Sequence, residues 1–429
     1  MNTLITRRTA LMGMAAAAAL PLMRNEALAQ AGPMSVEYWG FSGIANIPEG
    51  FAAAYPNITV NFVNNGLGAD QYLKLRNALM AGSGLPDVAE IEYGIIPSFT
   101  ITNALADLGP LGATALKDDY LDWAWAHVTA GDRVNALPWG GGPMILLYRQ
   151  DIFDKYGLEV PATWAEYETQ ARKLAAAGTD VSFVSMPVNA GAWFNGLFWQ
   201  NGSRPFVVDG TSVKIAINDD KAKQVLAYWQ KLLDDKLITP TPMFTNDWFA
   251  ALDAGAYATF PAGAWLLRRL GANAKEGMGK WRVATLPNWT ADEIQGGNWG
   301  GSSLAVLEAS PKKEAAFELA KWIVHSDEAS RIHLENGLFP VLKSTLANPE
   351  LIDAPVPLLG GQPGRRIFVT AAEHADHTFQ FSPFQQFADT VYAEEFAAAG
   401  AGKGTLIEAL DRIQARVVEY ANAQGFTVS

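Results

Sequence analysis

The sequence predicts an α/β protein built from two domains, and three observations support this prediction. Segments with strand periodicity alternate with segments of helical periodicity, which is the pattern of sheets covered by helices. The chain has 429 residues, and chains beyond roughly 250–300 residues usually divide into more than one domain. After the first 30 residues, no stretch of 18 uncharged apolar residues occurs that would span a membrane. We therefore expect mainly parallel sheets with helices on their faces.

The N-terminal part of the mature region alternates strictly between strand and helix. Proline and glycine mark the ends of the predicted helices at Pro56 and Gly82. This order favours a parallel sheet, and ligands of such sheets bind at the carboxyl ends of the strands. The predicted elements are strands at 35–39, 58–63 and 86–92 and helices at 47–55 and 70–81.

A second series of elements follows the segment GGGP at 140–143. Strand-like segments flank this glycine-proline pivot, so it is either a hairpin or a crossover between domains. Thr163 with Glu166 and Thr405 with Glu408 have the spacing of helix capping boxes. Ser310, followed by proline, is expected to be the N-cap of a helix that continues to about residue 324. The remaining predicted elements are a helix at 219–235 and strands at 256–261 and 281–286.

The first 29 residues predict export. Arg7-Arg8 precede an apolar segment at 10–23, and Ala27-Leu28-Ala29 has the small residues of a signal peptidase site. The apolar segment is shorter than the ~20 residues of a membrane span. Paired arginines favour the Tat pathway, so we expect residues 1–29 to be a Tat-type signal peptide and the protein to be periplasmic. An ordinary amphipathic N-terminal helix is the alternative.

Composition excludes several classes of protein. Cysteine is absent, which excludes disulfides, thiolate metal sites and a lipid-anchored cysteine. Removing residues 1–29 takes away three arginines and one glutamate, which leaves 29 basic and 43 acidic residues and a net charge of −14. An acidic surface without a basic cluster argues against a nucleic-acid partner.

Catalytic and cofactor motifs are also missing. The sequence has no P-loop, no dinucleotide-binding glycine motif and no nucleophile elbow, so we expect neither a cofactor nor an enzyme. His374 and His377 are three residues apart, but zinc needs a third ligand; a solvated turn is the favoured interpretation, and no metal site is predicted. A pair of carboxylates in a cleft, as in glycosidases, is not tested by spacing in sequence.

Aromatic residues beside glycine or at predicted strand ends point to a carbohydrate ligand. The segment GGNWGGSSLAV at 296–306 places Trp299 among four glycines. Sugars offer apolar faces to aromatic rings and hydroxyl groups to amides and carboxylates. For each single tryptophan, packing in the core is an equally valid interpretation. The group comprises Trp39, Tyr93, Trp139, Trp193, Trp248, Trp265 and Trp299.

The chain resembles the extracellular solute-binding proteins of family 1, the sugar-binding components of ABC importers. Each matching motif is weak alone, but they occur in the family's order over more than half of the mature chain. The motifs are FAAAYPNITV (51–60), AGSGLPDV (81–88), LYRQDIF (147–153), PATWAE (161–166), GAYA (255–258), WRVATLP (281–287) and GGSS (300–303).

The resemblance implies a two-lobe periplasmic binding protein fold of type II character, with hinge crossovers near 140–143, 299–302 and 337–341. Lobe 1 would comprise residues 33–141 and 301–338, and lobe 2 residues 142–299 and 340–429. The resemblance also implies a monomer that binds a sugar and delivers it to membrane permease subunits. An exported glycan-active enzyme and a receptor for polyols or other solutes are the alternatives. The expected ligand-binding residues are Trp39, Glu92, Tyr93, Trp193, Asn195, Trp248, Trp265, Asn298, Trp299 and Phe384.

Overall fold

A computed structural model describes residues 32–42, 46–66, 68–273, 275–291 and 293–429. The predicted signal peptide at 1–29 lies outside these residues. Within the described part of the chain, no helix is long and apolar enough to cross a membrane.

The strands form two large sheets and three small ones. In chain order they are β1 (Met34–Gly40), β2 (Ile58–Asn64), β3 (Val88–Glu92), β4 (Thr129–Ala130), β5 (Arg133–Val134), β6 (Leu137–Pro138), β7 (Gly140–Gly141), β8 (Met144–Arg149), β9 (Ser182–Pro187), β10 (Phe206–Asp209), β11 (Ser212–Ile215), β12 (Thr239–Thr241), β13 (Tyr257–Gly263), β14 (Trp281–Thr285), β15 (Ser302–Val306), β16 (Phe339–Pro340) and β17 (Thr427–Val428).

Helices connect the strands and cover the sheets. They are α1 (Asn46–Ala54), α2 (Gly68–Ala81), α3 (Ile96–Thr100), α4 (Asp122–Val128), α5 (Gln150–Tyr156), α6 (Trp164–Ala176), α7 (Gly191–Gln200), α8 (Asp220–Asp234), α9 (Asn246–Ala254), α10 (Leu266–Asn273), α11 (Lys313–His325), α12 (Asp327–Glu335), α13 (Lys343–Ala347), α14 (Pro349–Ile352), α15 (Arg365–Glu373), α16 (Gln385–Gly400) and α17 (Leu406–Ala423).

Local sequence signals place most of these elements. The capping boxes predicted at Thr163 and Thr405 are both formed, so α6 and α17 begin where the sequence indicates. The prediction for Ser310 was wrong, because α11 begins at Lys313 and has no side-chain cap. Ser310 is buried, and its hydroxyl donates to Asp87 Oδ1 at 2.6 Å, so a tertiary hydrogen bond replaces the expected cap.

The two large sheets have the same mixed design. The first has the order β2-β1-β3-β15-β6 and the second the order β12-β9-β13-β8-β14. In each, two neighbouring pairs are parallel and two are antiparallel. The α/β class is confirmed, but the expectation of mainly parallel sheets needs correction.

The correction follows from where the chain enters each sheet. Ser302, the first residue of β15, pairs with Glu92 at the carboxyl end of β3. Met144, the first residue of β8, pairs with Gly263 at the carboxyl end of β13. Both strands therefore enter at the edge where their parallel neighbours end, and so they run in the opposite direction.

The chain passes between the sheets through adjacent segments. Strand β6 belongs to the first sheet and β8 to the second, so GGGP at 140–143 is a crossover and not a hairpin. A return segment leads from β14 in the second sheet to β15 in the first. Near 337–341, β16 pairs with β7 of the first crossover, with Phe339 opposite Gly141. The strands of the two sheets fall respectively within the residue ranges expected for lobes 1 and 2.

Candidate binding cleft between the two sheets

The first and second crossovers are joined by the side chain of Asn298. Its Oδ1 accepts from Gly142 N at 2.9 Å, and its Nδ2 donates to Gly300 O at 2.7 Å. Trp299 N also donates to Gly142 O at 2.8 Å. Asn298 is buried, and both ends of its amide are used between the crossovers. The structure thus gives Asn298 a hinge contact where the sequence suggested a ligand contact.

An aromatic wall lies beside these crossovers and consists of Phe244, Trp265 and Trp299. Trp265 follows β13 and is half-buried, whereas Trp299 is 5% exposed. Their rings meet at 72° with centroids 4.7 Å apart, and Trp265 Nε1 donates to Trp299 O at 2.7 Å. Trp265 is therefore the more accessible of the two predicted rings, and Trp299 supports it.

Phe244 completes the wall and was not predicted. Its ring centroid is 5.9 Å from that of Trp265, and the side chain is 42% exposed. Its φ is 67°, which is unusual for a bulky residue. The guanidinium of Arg269 lies 5.1 Å from the ring centroid. The sequence offers no periodic signal for a loop residue held this way.

A cluster of carboxylates and amides is assembled from both sides of the cleft. Glu92, the last residue of β3, accepts from the hydroxyl of Tyr72 at 3.0 Å. Asp389 on α16 accepts from Gln385 Nε2 at 2.9 Å and lies 3.4 Å from Asn195 Nδ2. The predicted residues Glu92 and Asn195 are thus brought towards one site by Asp389, which the sequence analysis missed.

The electrostatics of this cluster favour protonated carboxyl groups. Burial raises the pKa of Asp389 to about 7, and the negative charge of Glu92 adds to this effect, while the hydrogen bond from Gln385 opposes it. Burial also raises the pKa of Glu92. No cation contributes to either shift. Groups of this kind accept and donate hydrogen bonds to neutral hydroxyls, which is the chemistry of sugar recognition.

The loop after β1 is held by another buried carboxylate, Glu90. It accepts from the main-chain nitrogens of Phe41 and Ser42 at 2.9 and 3.0 Å and from the Ser42 hydroxyl. Burial raises its pKa to about 6 against these hydrogen bonds. Trp39, just before this loop, is half-buried and donates from Nε1 to Glu37 at 2.7 Å.

Three predicted contact residues lie in the core instead. Trp193 is fully buried on α7 and donates to Pro261 O at 2.8 Å. Trp248 is 1% exposed and donates to Ser185 Oγ at 3.0 Å. Phe384 is buried and packs against Phe206 and Phe426, near the small sheet β10-β11-β17. Proximity to glycine or asparagine in sequence does not decide which side of a helix faces the core, so we leave these three out of the proposed site.

Tyr93 lies next to the second crossover and is 1% exposed. Its main-chain nitrogen donates to Gly301 O at 3.2 Å, and its side chain lines a cavity of about 360 Å³. His374, by contrast, is exposed, and its Nδ1 lies 2.8 Å from Thr370 O. Among the described residues, no group of three side chains could hold a metal ion.

Another cavity, of about 400 Å³, lies beside the third crossover. Two arginines line it, but the guanidinium of Arg365 already donates to Leu351 O at 2.7 Å and to Leu334 O at 3.3 Å. Arg268 donates to Ser42 O at 2.8 Å. Because these cations are engaged by main-chain carbonyls, the aromatic wall and the carboxylate cluster are the better candidate site.

The family model described as "Bacterial extracellular solute-binding protein" matches residues 42–329. The chain belongs to this family. A curated relative, the arabinooligosaccharide-binding protein of Bacillus subtilis (strain 168), is 23% identical over 316 residues, which are 70% of this chain and 72% of that protein.

Two solved structures are similar over nearly the whole chain. A binding protein associated with an ABC transporter of B. animalis subsp. lactis Bl-04, in complex with β-1,6-galactobiose, is 31% identical with a TM-score of 0.81. The galacto-N-biose-/lacto-N-biose I-binding protein of Bifidobacterium longum, in complex with lacto-N-biose, is 25% identical with a TM-score of 0.82. The match covers 93% of this chain and 100% of the other chain in both cases. The predicted two-lobe fold is thereby confirmed.

Proposed function

We propose that this protein is the exported sugar-binding receptor of an ABC importer, and that it binds a mono- or oligosaccharide in the cleft between the two sheets. The observation that supports this most is the meeting of two kinds of surface at the carboxyl ends of the strands. One is the aromatic wall, and the other is the carboxylate and amide cluster around Glu92 and Asp389. The similar structures hold disaccharides.

The proposed mechanism is binding followed by closure. A ligand that touches both lobes binds the closed form more tightly than the open form, and this difference in affinity drives closure. The adjacent crossovers joined through Asn298 are the proposed hinge, and the expected lobe boundaries stay part of the proposal. The sugar would contact Trp39, Glu92, Tyr93, Asn195 and Trp265, with Trp299 behind Trp265.

Residues outside the sequence-based expectation join this proposed site. Phe244 would extend the aromatic surface, and Asp389 and Gln385 would accept and donate hydrogen bonds to sugar hydroxyls. We further propose that the protein reaches the periplasm through the Tat pathway, acts there as a monomer and hands its ligand to membrane permease subunits.

Binding is tested with a panel of mono-, di- and trisaccharides of galactose, glucose and arabinose, together with glycerol and sorbitol. Thermal denaturation followed by calorimetry should identify at least one sugar. A ligand at 100 times its Kd stabilises the folded state by about 2.7 kcal/mol. If no sugar shifts the melting temperature, the carbohydrate assignment is wrong; a shift with a polyol alone would make this a polyol receptor.

Two carboxylates in one cleft, one with a pKa near neutrality, also match the minimal requirement of a glycosidase. Incubation of the purified protein with the same oligosaccharides, followed by product analysis, separates the two functions. We expect unchanged oligosaccharides. Sustained release of monosaccharides would replace the receptor by an enzyme.

A further inference from the structure

A cavity of about 360 Å³ lies between the two lobes, next to Glu92 in the sequence and beyond it in space. One wall comes from lobe 1 and includes Tyr93 and His127, and the opposite wall includes Phe379, Phe381 and the hairpin turn at 208–210. This volume falls in the lower part of the roughly 300–1,000 Å³ range of small-molecule pockets.

Two buried polar atoms of the lobe 1 wall lack partners. Among the described residues, nothing forms a hydrogen bond with the hydroxyl of Tyr93 or with Nε2 of His127, although their side chains are 1% and 9% exposed. Leaving a buried polar atom unpaired costs about 1–3 kcal/mol. Such atoms therefore call for an explanation, and a bound ligand with hydroxyl groups supplies one.

The protonation of both groups is fixed by their surroundings. His127 Nδ1 lies 2.6 Å from Trp123 O, and a carbonyl only accepts, so Nδ1 carries the proton and Nε2 offers a lone pair. Burial lowers the pKa of His127 to about 4, so the ring is neutral at pH 7. Burial raises the pKa of Tyr93, so its phenol keeps its proton and can donate.

The rest of the lining favours an uncharged ligand with an apolar face. The ring of Phe381 lies 5.0 Å from that of His127, and Phe379 is stacked on Trp199 at 4.4 Å. The lining contains no arginine or lysine, and Asp209 is its one charged residue. An anionic ligand would therefore enter unpaired, which is unfavourable at a buried site.

We propose that this cavity is the subsite for the second sugar unit of a di- or longer saccharide, with Tyr93 and His127 as the pair that binds one of its hydroxyl groups. This inference rests on the proposed function and makes it more specific. The first unit lies at the aromatic wall and the Glu92–Asp389 cluster, and Tyr93 stands at the boundary between the two units. A hydroxyl group suits the pair because it can donate to Nε2 and accept from the phenol at once.

The test compares affinities for galactose and glucose with those for their disaccharides and for arabinobiose, measured by calorimetry. Tyr93→Phe removes only the hydroxyl, and His127→Phe removes the acceptor while keeping a ring. The matched control is Tyr148→Phe, because Tyr148 is similarly buried but lies near the far end of β8 in the second sheet. In both test variants, we expect disaccharide affinity to fall about tenfold or more, while monosaccharide affinity and that of the control stay unchanged.

The outcomes separate the inference from the proposed function. If the wild-type protein binds no sugar, the proposed function fails and the subsite fails with it. If the wild type binds sugars but prefers monosaccharides, or if Tyr93→Phe weakens mono- and disaccharides equally or not at all, the subsite is wrong while the receptor stands. Should His127→Phe fold poorly, Tyr93→Phe alone decides.

A crystal structure with the tightest-binding disaccharide of this set gives an independent measurement. We expect one sugar hydroxyl within hydrogen-bond distance of both Tyr93 Oη and His127 Nε2. A bound disaccharide that leaves the cavity to water would overturn the inference.

Discussion

The indole nitrogen of Trp265 donates a 2.7 Å hydrogen bond to the main-chain oxygen of Trp299. This contact joins the end of β13 in the second sheet to the crossover that returns to the first sheet. The two rings meet edge to face, so the orientation of Trp265 depends on the conformation of the crossover. A residue placed in this way can report closure to the ligand and ligand binding to the hinge.

Replacing Trp265 by alanine should weaken sugar binding tenfold or more, because a stacked ring contributes on the order of 1–3 kcal/mol to binding. Calorimetry with the best-bound sugar measures the effect. The control is Trp322→Ala, since Trp322 is also half-buried but packs on Phe51 in lobe 1. Equal affinity of Trp265→Ala and the wild type would remove Trp265 from the proposed site.

Replacing Trp193 by alanine should act on stability instead. Trp193 is fully buried beside Trp229, with ring centroids 4.9 Å apart, and truncation of a buried aromatic residue typically costs about 3–5 kcal/mol. Chemical denaturation should show this loss, while the folded fraction should bind sugar with the affinity of the wild type. A selective loss of affinity at normal stability would return Trp193 to the site.

The sequence predicted the fold and part of the site, and the difference has a physical origin. Strand alternation and capping boxes are local, so β1, β2, β3, α6 and α17 could be located from short segments. The pairing of Glu92 with Asp389 is not local, because 297 positions along the chain separate them and no periodicity relates them. Trp193 and Trp265 look alike in sequence, each one residue from an alanine and close to a glycine. Only the packing of their elements buries the first and leaves the second half-exposed.

Replacing Gly142 by alanine should disturb the hinge. A Cβ at this position would overlap the main-chain oxygen of Trp299 in the neighbouring crossover, so the two segments would have to move apart. We expect a loss of at least 1–3 kcal/mol in unfolding free energy, as in overpacked cores, together with a larger radius of gyration in small-angle scattering. Gly271→Ala is the control, because that helical glycine has open space around it and alanine there is neutral or stabilising. Identical behaviour of the two variants would contradict the close contact.

Replacing Arg7-Arg8 by a lysine pair should block export through the Tat pathway. The prediction rests on the twin arginines and the following apolar segment. Cell fractionation should find the mature protein, beginning near residue 30, in the periplasm for the wild type and the full-length precursor in the cytoplasm for the variant. Export of the variant at the normal level would show that the arginine pair is not needed and that a different pathway is used.

Asp389 should make the protein less stable as the pH rises towards neutrality. Its pKa is about 7 in the folded protein, against 3.8 for a free side chain. Between these values the folded protein keeps a proton that the unfolded chain has released, so the free energy of unfolding falls as pH increases through this window. Asparagine keeps the acceptor for Gln385 and cannot ionise. The melting temperature of Asp389→Asn should therefore gain on that of the wild type from pH 5 to pH 8.

The comparison must be made between the two proteins at each pH, because other buried groups also titrate. Glu90, with a pKa of about 6, acts in the same direction as Asp389. His127 and His333, with pKa values lowered by burial to about 4 and 3, act oppositely, since the unfolded chain takes up protons there first. These groups are common to both proteins and cancel in the difference. Asp247→Asn, at an exposed position in the first turn of α9, should show no such gain. A constant difference between Asp389→Asn and the wild type across this range would mean that Asp389 is ionised in the folded protein.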